Sequence, residues 1–494
     1  MHKSLKLTQA QNAALDNIVL HSPNGGQGLN DVGAAVQKSA TIGYDVNPST
    51  GMTPSSDSSA GTVTALRREA LDDRVAMLSY TTDEFVFFMK VPRRRATSTV
   101  QQYTVFDRHS RGYDALEVDE GQISAPSDPE LNRKVLQMKY LSATCNVTLQ
   151  ATLADAVESP VQVYTDNAIG TIVQAIESQM FYGDSSLSPY PVDANSTGGR
   201  QFDGLAKLIP DENVIDAQGN PLSEENVNAA ATKIKKAFGK ATDMFMPIEA
   251  KAPFIASLPY TKFVNINSNR GNTVAAGYNV DAYNSVTGPI ELTGSSVMTQ
   301  NQVLDETQLG DLGQALTPTV TATVNTNAGG EFRANHEVGQ TLNYKVVAYD
   351  QGNASFAADA SAAIANATDA VALSITAPRL GKVRTSFVAI YRQGLEDGQY
   401  YLIKKIGTGA AVNGVISFTD TNDKIPGTCD VFIGEMLDRT INLYEWLPIM
   451  SLPLAQVSAS YTWSVLWFGA LCLRIPRHWA RIKNVQAVPV TQQY

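Results

Sequence analysis

Five histidines, three cysteines and a scatter of paired carboxylates are what this 494-residue chain has for cutting bonds or holding a metal. His2, His21, His109, His336 and His478 fall in separate regions. None stands in the His-Glu-x-x-His or His-x-His spacing that puts two imidazoles on one ion. No Gly-x-Ser-x-Gly elbow, Walker loop or kinase-type set is present, so a nucleophile with its base lacks support. Asp72–Asp73 and Asp119–Glu120 lie in polar contexts and read as solvated faces rather than acid/base pairs. Gly25, Gly26 and Gly28 have no strand before them and no helix after, which argues against a phosphate loop. Cys145, Cys429 and Cys472 are odd in number, far apart and set in apolar surroundings, as expected of buried thiols in a reducing compartment. The expectation is a protein that is not an enzyme, with no catalytic residue, no metal and no cofactor.

The charges that stand out are segregated. Lys90, Arg93, Arg94, Arg95, Arg108 and Arg111 precede an acidic run of Asp114, Glu117, Asp119, Glu120, Asp128 and Glu130. Opposite charges grouped on one element suit contacts between copies, where they steer encounter and set register. Arg93, Arg94, Arg95, Arg108, Arg111, Asp114, Glu117, Asp119 and Glu120 are therefore the candidate inter-subunit residues; solvated loop charge is the plainer reading. Phosphate binding by the three arginines is disfavoured by their acidic neighbourhood. A net charge of −10 also disfavours non-specific nucleic-acid binding, which needs clustered cations.

The elements that must position these residues are legible in part. Residues 1–62 are polar and poorly periodic, too poor in apolar surface to fold alone, and read either as a disordered tail or as an arm that orders on a neighbour. No apolar signal segment opens the chain, and the longest apolar run, Val465 to Leu473, is less than half of the roughly 20 residues a bilayer helix needs. From about Leu78 to Thr152 the pattern is mostly strand: "EFVFFMKVP", "QQYTVFD" and "KYLSATCNVTLQATL" flank a polar stretch, as in an extended two-stranded excursion. Ser159 and Pro160 open a helix whose Ile169, Ile172, Val173, Ile176 and Met180 recur at helical spacing, with Gly183 as its stop. A second helix starts at Ser223, with a Leu222–Val227 staple, an apolar face of Val227, Ala230, Ala231, Ile234 and Phe238, and Gly239 at its end. Between about 316 and 428, six short Val- and Thr-rich runs separated by Gly, Asn and Asp predict a β-sandwich. Its phrases "YKVVAYDQGNAS" and "VAIYRQG" resemble fibronectin type III and related immunoglobulin-like modules.

The order of these parts, the phrase "FDGLAKLI" (Phe202 to Ile209) and the ending "LPLAQ…LRIPRHWARIKNV" resemble the major capsid proteins of tailed bacteriophages. The resemblance implies an α+β, Hong Kong-97-type capsid fold with an inserted all-β sandwich. It implies an N-terminal arm (1–62) and a peripheral domain (63–221) carrying an E-loop (about 78–152) and a spine helix (159–182). An axial domain (222–315), the insertion (316–428) and a return to both domains (429–494), with one final strand, complete the layout. It further implies self-assembly as hexamers and pentamers into an icosahedral shell around double-stranded DNA, made in the host cytoplasm, with portal and scaffold or decoration proteins as partners and no membrane. Some relatives weld subunits through an E-loop lysine. None lies between Arg93 and Arg133, so non-covalent stabilisation is expected, as is the absence of a large cleaved scaffold segment. The insertion is expected to add contacts between capsomers, with glycan or decoration-protein binding as alternatives. An encapsulin-like compartment shell and a surface adhesin built on the sandwich are the competing readings.

Overall fold

The computed structural model describes residues 44–47, 51–54, 85–108, 117–123, 130–153, 159–187, 200–258, 280–299, 302–313, 316–350, 352–377, 387–412, 414–456 and 458–487. The chain divides into two units, Met1–Val75 and Ala76–Tyr494. In the first, Tyr44–Asn47 pairs antiparallel with Gly51–Pro54, a hairpin inside the region read as an arm. The rest of that arm, with Gly25, Gly26 and Gly28, lies outside the described residues. All other elements belong to the second unit, which is α+β.

A four-stranded sheet has the order Arg93–Arg95, Ile441–Pro453, Ser460–Leu473, Lys139–Thr148. The helix Pro160–Tyr182 packs on it, burying Ile172, Val173, Ile176 and Met180 in one stripe with Trp467 and Leu471. That spacing is what places successive turns on a common face. Beside this sheet the antiparallel pair Val100–Arg108 and Glu130–Gln137 forms the excursion expected from the flanking runs.

A six-stranded mixed sheet runs Val214–Asp216, Trp479–Gln486, Thr428–Gly434, Asp243–Pro247, Gly288–Ser295, Ala282–Ser285. Helix Glu224–Lys236 covers part of it, with Val227, Ala230, Ala231 and Ile234 fully buried. The Ser223 hydroxyl accepts the Asn226 N–H (3.2 Å), and Glu224 and Glu225 sit in the first turn against Lys233, Lys235 and Lys236 in the last, both matched to the helix dipole.

Between Thr319 and Asp420 lie two further sheets. One holds Thr319–Asn325, Ala370–Thr376 and Val415–Asp420. The other holds Asn353–Ala354, Thr341–Asp350, Phe387–Gln393 and Tyr400–Gly407, with Ala358–Ala363 also pairing with Thr341–Asp350. Leu342, Val346, Val388 and Ile390 from the second share one core with Val371, Leu373, Ile375 and Ile416 from the first. All six runs read from the sequence here are strands; Asn353–Ala354 and Ala358–Ala363, rich in small residues, escaped the reading.

Four local expectations are corrected. "EFVFFMKVP" is not a strand: Val86–Lys90 is a short helix with Phe85, Phe87, Phe88 and Val91 buried and Met89 exposed. Short apolar runs do not distinguish strand from helix, and packing on both sheets decides here. The alternation through "TLQATL" also breaks, because Leu149–Leu153 is helical. Phe238 is not on the buried face; it lies past the helix end and is 89% exposed. Finally, the C-terminal apolar stretch is two strands. The turn at Pro476–His478 sends Ser460–Leu473 and Trp479–Gln486 into different sheets, because Pro476 lacks the N–H a continuing strand would donate.

Candidate functional site

The three arginines read as one basic cluster are split by their strand. Arg93–Arg95 pairs in parallel with Leu443–Glu445, so neighbouring side chains point to opposite faces. Arg94 turns to Asp438, with Nε donating to Oδ1 at 2.8 Å and Nη2 to Oδ2; this hydrogen bond holds the Asp438 carboxyl below its usual range. Arg93 lies over the Phe88 ring, 4.4 Å from its centroid, and both Arg93 and Arg95 are exposed. Lys90 is occupied internally by Glu291 (2.6 Å) and Asp243 (3.3 Å). Arg108 closes its strand opposite Glu130. Arg111, Asp114 and Asp128 lie outside the described residues. Glu117, Asp119 and Glu120 are exposed on a turn in which the Gln122 N–H donates to the Asp119 carbonyl at 3.0 Å. Among the described residues Glu117, Asp119 and Glu120 form no ion pair with any of these arginines.

Two polar sites at element junctions were missed, because their members are far apart in sequence. His478 Nδ1 lies 2.6 Å from Glu435 Oε2 and its Nε2 lies 3.1 Å from the Ala237 carbonyl, while Arg439 donates to the same carboxylate at 2.5 Å. The buried imidazole thus joins the end of helix Glu224–Lys236 to the crossing between the sheets. No nucleophile accompanies it, and among the described residues no group of three or more His, Cys, Asp or Glu could hold a metal ion.

The second site is Glu177, fully buried on helix Pro160–Tyr182. Its carboxyl accepts from the Phe88 N–H (3.3 Å) and the Ser295 hydroxyl (3.3 Å), tying the long helix to the short one and to the six-stranded sheet. Burial pushes this carboxyl up to about 7, against the pull of both hydrogen bonds. The folded chain keeps the proton to about pH 7, whereas the unfolded chain releases it near 4.5. The stabilisation is therefore complete below pH 4.5 and is lost as pH rises to about 7. A shift of this size corresponds to about 3 kcal/mol. Glu177→Gln is expected to flatten the pH dependence of the urea midpoint across that window; a slope equal to wild type would show that Glu177 does not carry it.

Residues 55–307 match the family described as SU10 major capsid protein. The chain is 42% identical over 458 residues to the major capsid protein of Staphylococcus phage S25-3, covering 92% of this chain and 96% of that protein. The same identity and coverage hold for the major capsid protein of Staphylococcus phage K.

The chain belongs to the SU10 major capsid protein family.

It is a phage capsid subunit that forms the head shell, which sets aside the compartment and adhesin readings. Among solved structures, the capsid of a native GTA particle is similar at TM-score 0.42 and 8% identity, covering 88% of this chain and 99% of that one. The chain named for Gordonia phage Cozz is similar at the same score and identity, with coverage of 87% and 95%. These likenesses are distant, and the family assignment rests on the sequence relatives. Among the described residues no helix is long and apolar enough to cross a membrane.

Proposed function

We propose that this capsid subunit assembles as hexamers and pentamers into an icosahedral shell of the Hong Kong-97 type around double-stranded DNA, without acting as an enzyme. The pair Val100–Arg108 and Glu130–Gln137 is the E-loop, and Pro160–Tyr182 the spine helix. The four-stranded sheet belongs to the peripheral domain and the six-stranded sheet to the axial domain. The residues between 316 and 428 form an immunoglobulin-like insertion that adds contacts between capsomers. The observation that carries this reading is the E-loop: a two-stranded element whose turn exposes Glu117, Asp119 and Glu120, which form no ion pair among the described residues. Such an element gains its stabilisation from neighbours, and weak contacts repeated in a closed lattice reinforce one another through effective concentration.

Assembly takes place in the host cytoplasm, with a portal and a scaffold or decoration protein as further partners. The lysine-free stretch from Arg93 to Arg133 supports a shell held without covalent links. Electron microscopy and mass photometry of the chain expressed with its phage's assembly factors should show rings or closed shells; monomers throughout would refute the reading. Heads boiled in detergent should run as single chains, and a ladder of linked subunits would overturn non-covalent closure.

A further inference from the structure

A groove of about 900 Å³ opens between the base of the E-loop, the C-terminal end of helix Glu224–Lys236 and the turn Arg474–Arg477. Its wall is cationic in a chain of net charge −10: Lys134, Lys236 and Arg477 are exposed and make no ion pair among the described residues. Arg474 adds a fourth charge, held over Tyr444 by its Nη2 donating to the hydroxyl at 2.5 Å. Lys233 is spent on the carbonyls of Glu212 (2.6 Å) and Val214 (3.2 Å), and Glu212 supplies the single carboxylate of the lining.

At this groove stands Phe238, 89% exposed and with φ at +65°. A bulky residue in the left-handed region is strained, and a large apolar side chain in water gains nothing within its own chain. The local geometry explains how it came there. The Phe238 N–H donates to the Lys235 carbonyl and the Gly239 N–H to the Ile234 carbonyl, each at 3.0 Å, which is a Schellman ending with Phe238 in the place usually held by glycine. Glycine is needed one residue later: a Cβ on Gly239 would lie 2.8 Å from Ile234 Cγ2 and 2.9 Å from the His478 ring. With Gly239 committed to that close approach, the left-handed position falls to a phenylalanine directed into solvent.

The E-loop turn presents the complementary chemistry. Glu117, Asp119 and Glu120 are exposed and unpaired among the described residues, beside Val118 (50% exposed) and Ile123 (94%). Gly121, at φ +83°, sets the turn. Acid with aliphatic on one element complements cation with aromatic on another, and among the described residues neither is covered. We propose that the turn Glu117–Ile123 of one copy docks in the groove of a neighbouring copy, its carboxylates on Lys134, Lys236 and Arg477 and its aliphatic side chains on Phe238. The cationic partner of the acidic run is thus this groove, and not the arginines at 93–95. A nucleic-acid backbone would match the cations but leave Phe238 unused, and Glu212 opposes either anionic occupant.

This assignment rests on the shell reading above and is tested on assembled heads. Heads built from isotope-labelled and unlabelled chains, treated with a carbodiimide, are expected to yield cross-links between copies joining Asp119 or Glu120 to Lys236 or Lys134. Asp119→Lys with Glu120→Lys, or Lys236→Glu with Arg477→Glu, should each reduce head yield by about tenfold or more, since like charges then oppose each other. The four changes together should restore it to within about threefold. Phe238→Gly should lower yield while leaving the melting temperature of the chain unchanged or raised, because it relieves the backbone; a fall in melting temperature would mark a structural role. Heads that form without the cross-link, or charge reversals that are harmless or show no mutual rescue, would overturn the docking. Reversal at Lys236 and Arg477 that leaves heads intact but abolishes retention of a short DNA duplex would assign the groove to nucleic acid instead. A wild-type chain that forms no heads would sink the shell reading itself.

Discussion

Trp479→Ala is expected to destabilise the folded chain by about 3–5 kcal/mol. The indole is fully buried where the two large sheets meet. It stacks with Phe245 (centroids 6.5 Å apart, planes at 12°) and meets Phe87 edge-on at 6.3 Å. Its strand partner is Gly434, and a Cβ there would fall 2.1 Å from Trp479 Cδ2, so the ring lies directly on the glycine backbone. Removing it opens a cavity that Gly434 cannot fill. Lost transfer free energy and lost dispersion contacts then add. The indole N–H has no hydrogen-bond partner among the described residues, so Trp479→Phe should cost well under half as much. Denaturant unfolding followed by fluorescence of the remaining tryptophans would measure both; an alanine variant within about 1 kcal/mol of wild type would refute this packing account.

A comparable effect is expected from Arg392→Ala between the two sheets that lie within Thr319 to Asp420. Arg392 Nη1 donates to Asp420 Oδ2 at 2.5 Å and Nη2 to Asn422 Oδ1 at 2.5 Å, while the Tyr344 hydroxyl donates to the same Asp420 oxygen at 2.8 Å. Both ion-pair side chains are at most 2% exposed. Deleting the guanidinium strands a carboxylate away from water, at a cost of about 3–5 kcal/mol. Replacing both partners, as Arg392→Met with Asp420→Leu, should recover most of that loss, since desolvation is then avoided along with the attraction. Hydrogen exchange would localise the effect: the strands from Thr319 to Asp420 should lose protection in Arg392→Ala while the six-stranded sheet keeps it. Equal protection in variant and wild type would show that the pair does not hold these two sheets together.

What the sequence determined by itself was local. Pro160 and the three-four spacing through Met180 specify a helix because its buried stripe needs only residues one turn apart. Ser223 caps the second helix for the same reason. The six apolar runs between 319 and 420 are short, β-branched or aromatic and bounded by Gly, Asn and Asp, signals carried within a few residues, so they too were legible. The absence of a recognisable catalytic spacing, and the segregation of charge near residues 93–130, were likewise open to inspection.

What only the tertiary structure decided depends on distant partners. Val86–Lys90 is helical because Phe87 must meet Phe181 and Phe245, each with ring centroids 4.7 Å away. Helical periodicity extends formally to Phe238, but the contact of Gly239 with the His478 ring ends the helix first and directs that side chain outward. Arg94 and the acidic turn were expected to meet between copies, yet pairing with Leu443–Glu445 gives Arg94 to Asp438 of its own chain. The cationic groove joins residues near 134, 236 and 474–477, each an ordinary solvated charge in its own neighbourhood. Backbone propensity and side-chain alternation act over a turn or a few strand residues. Charge and apolar surface become a site only when sheet pairing sets which distant segments share one space.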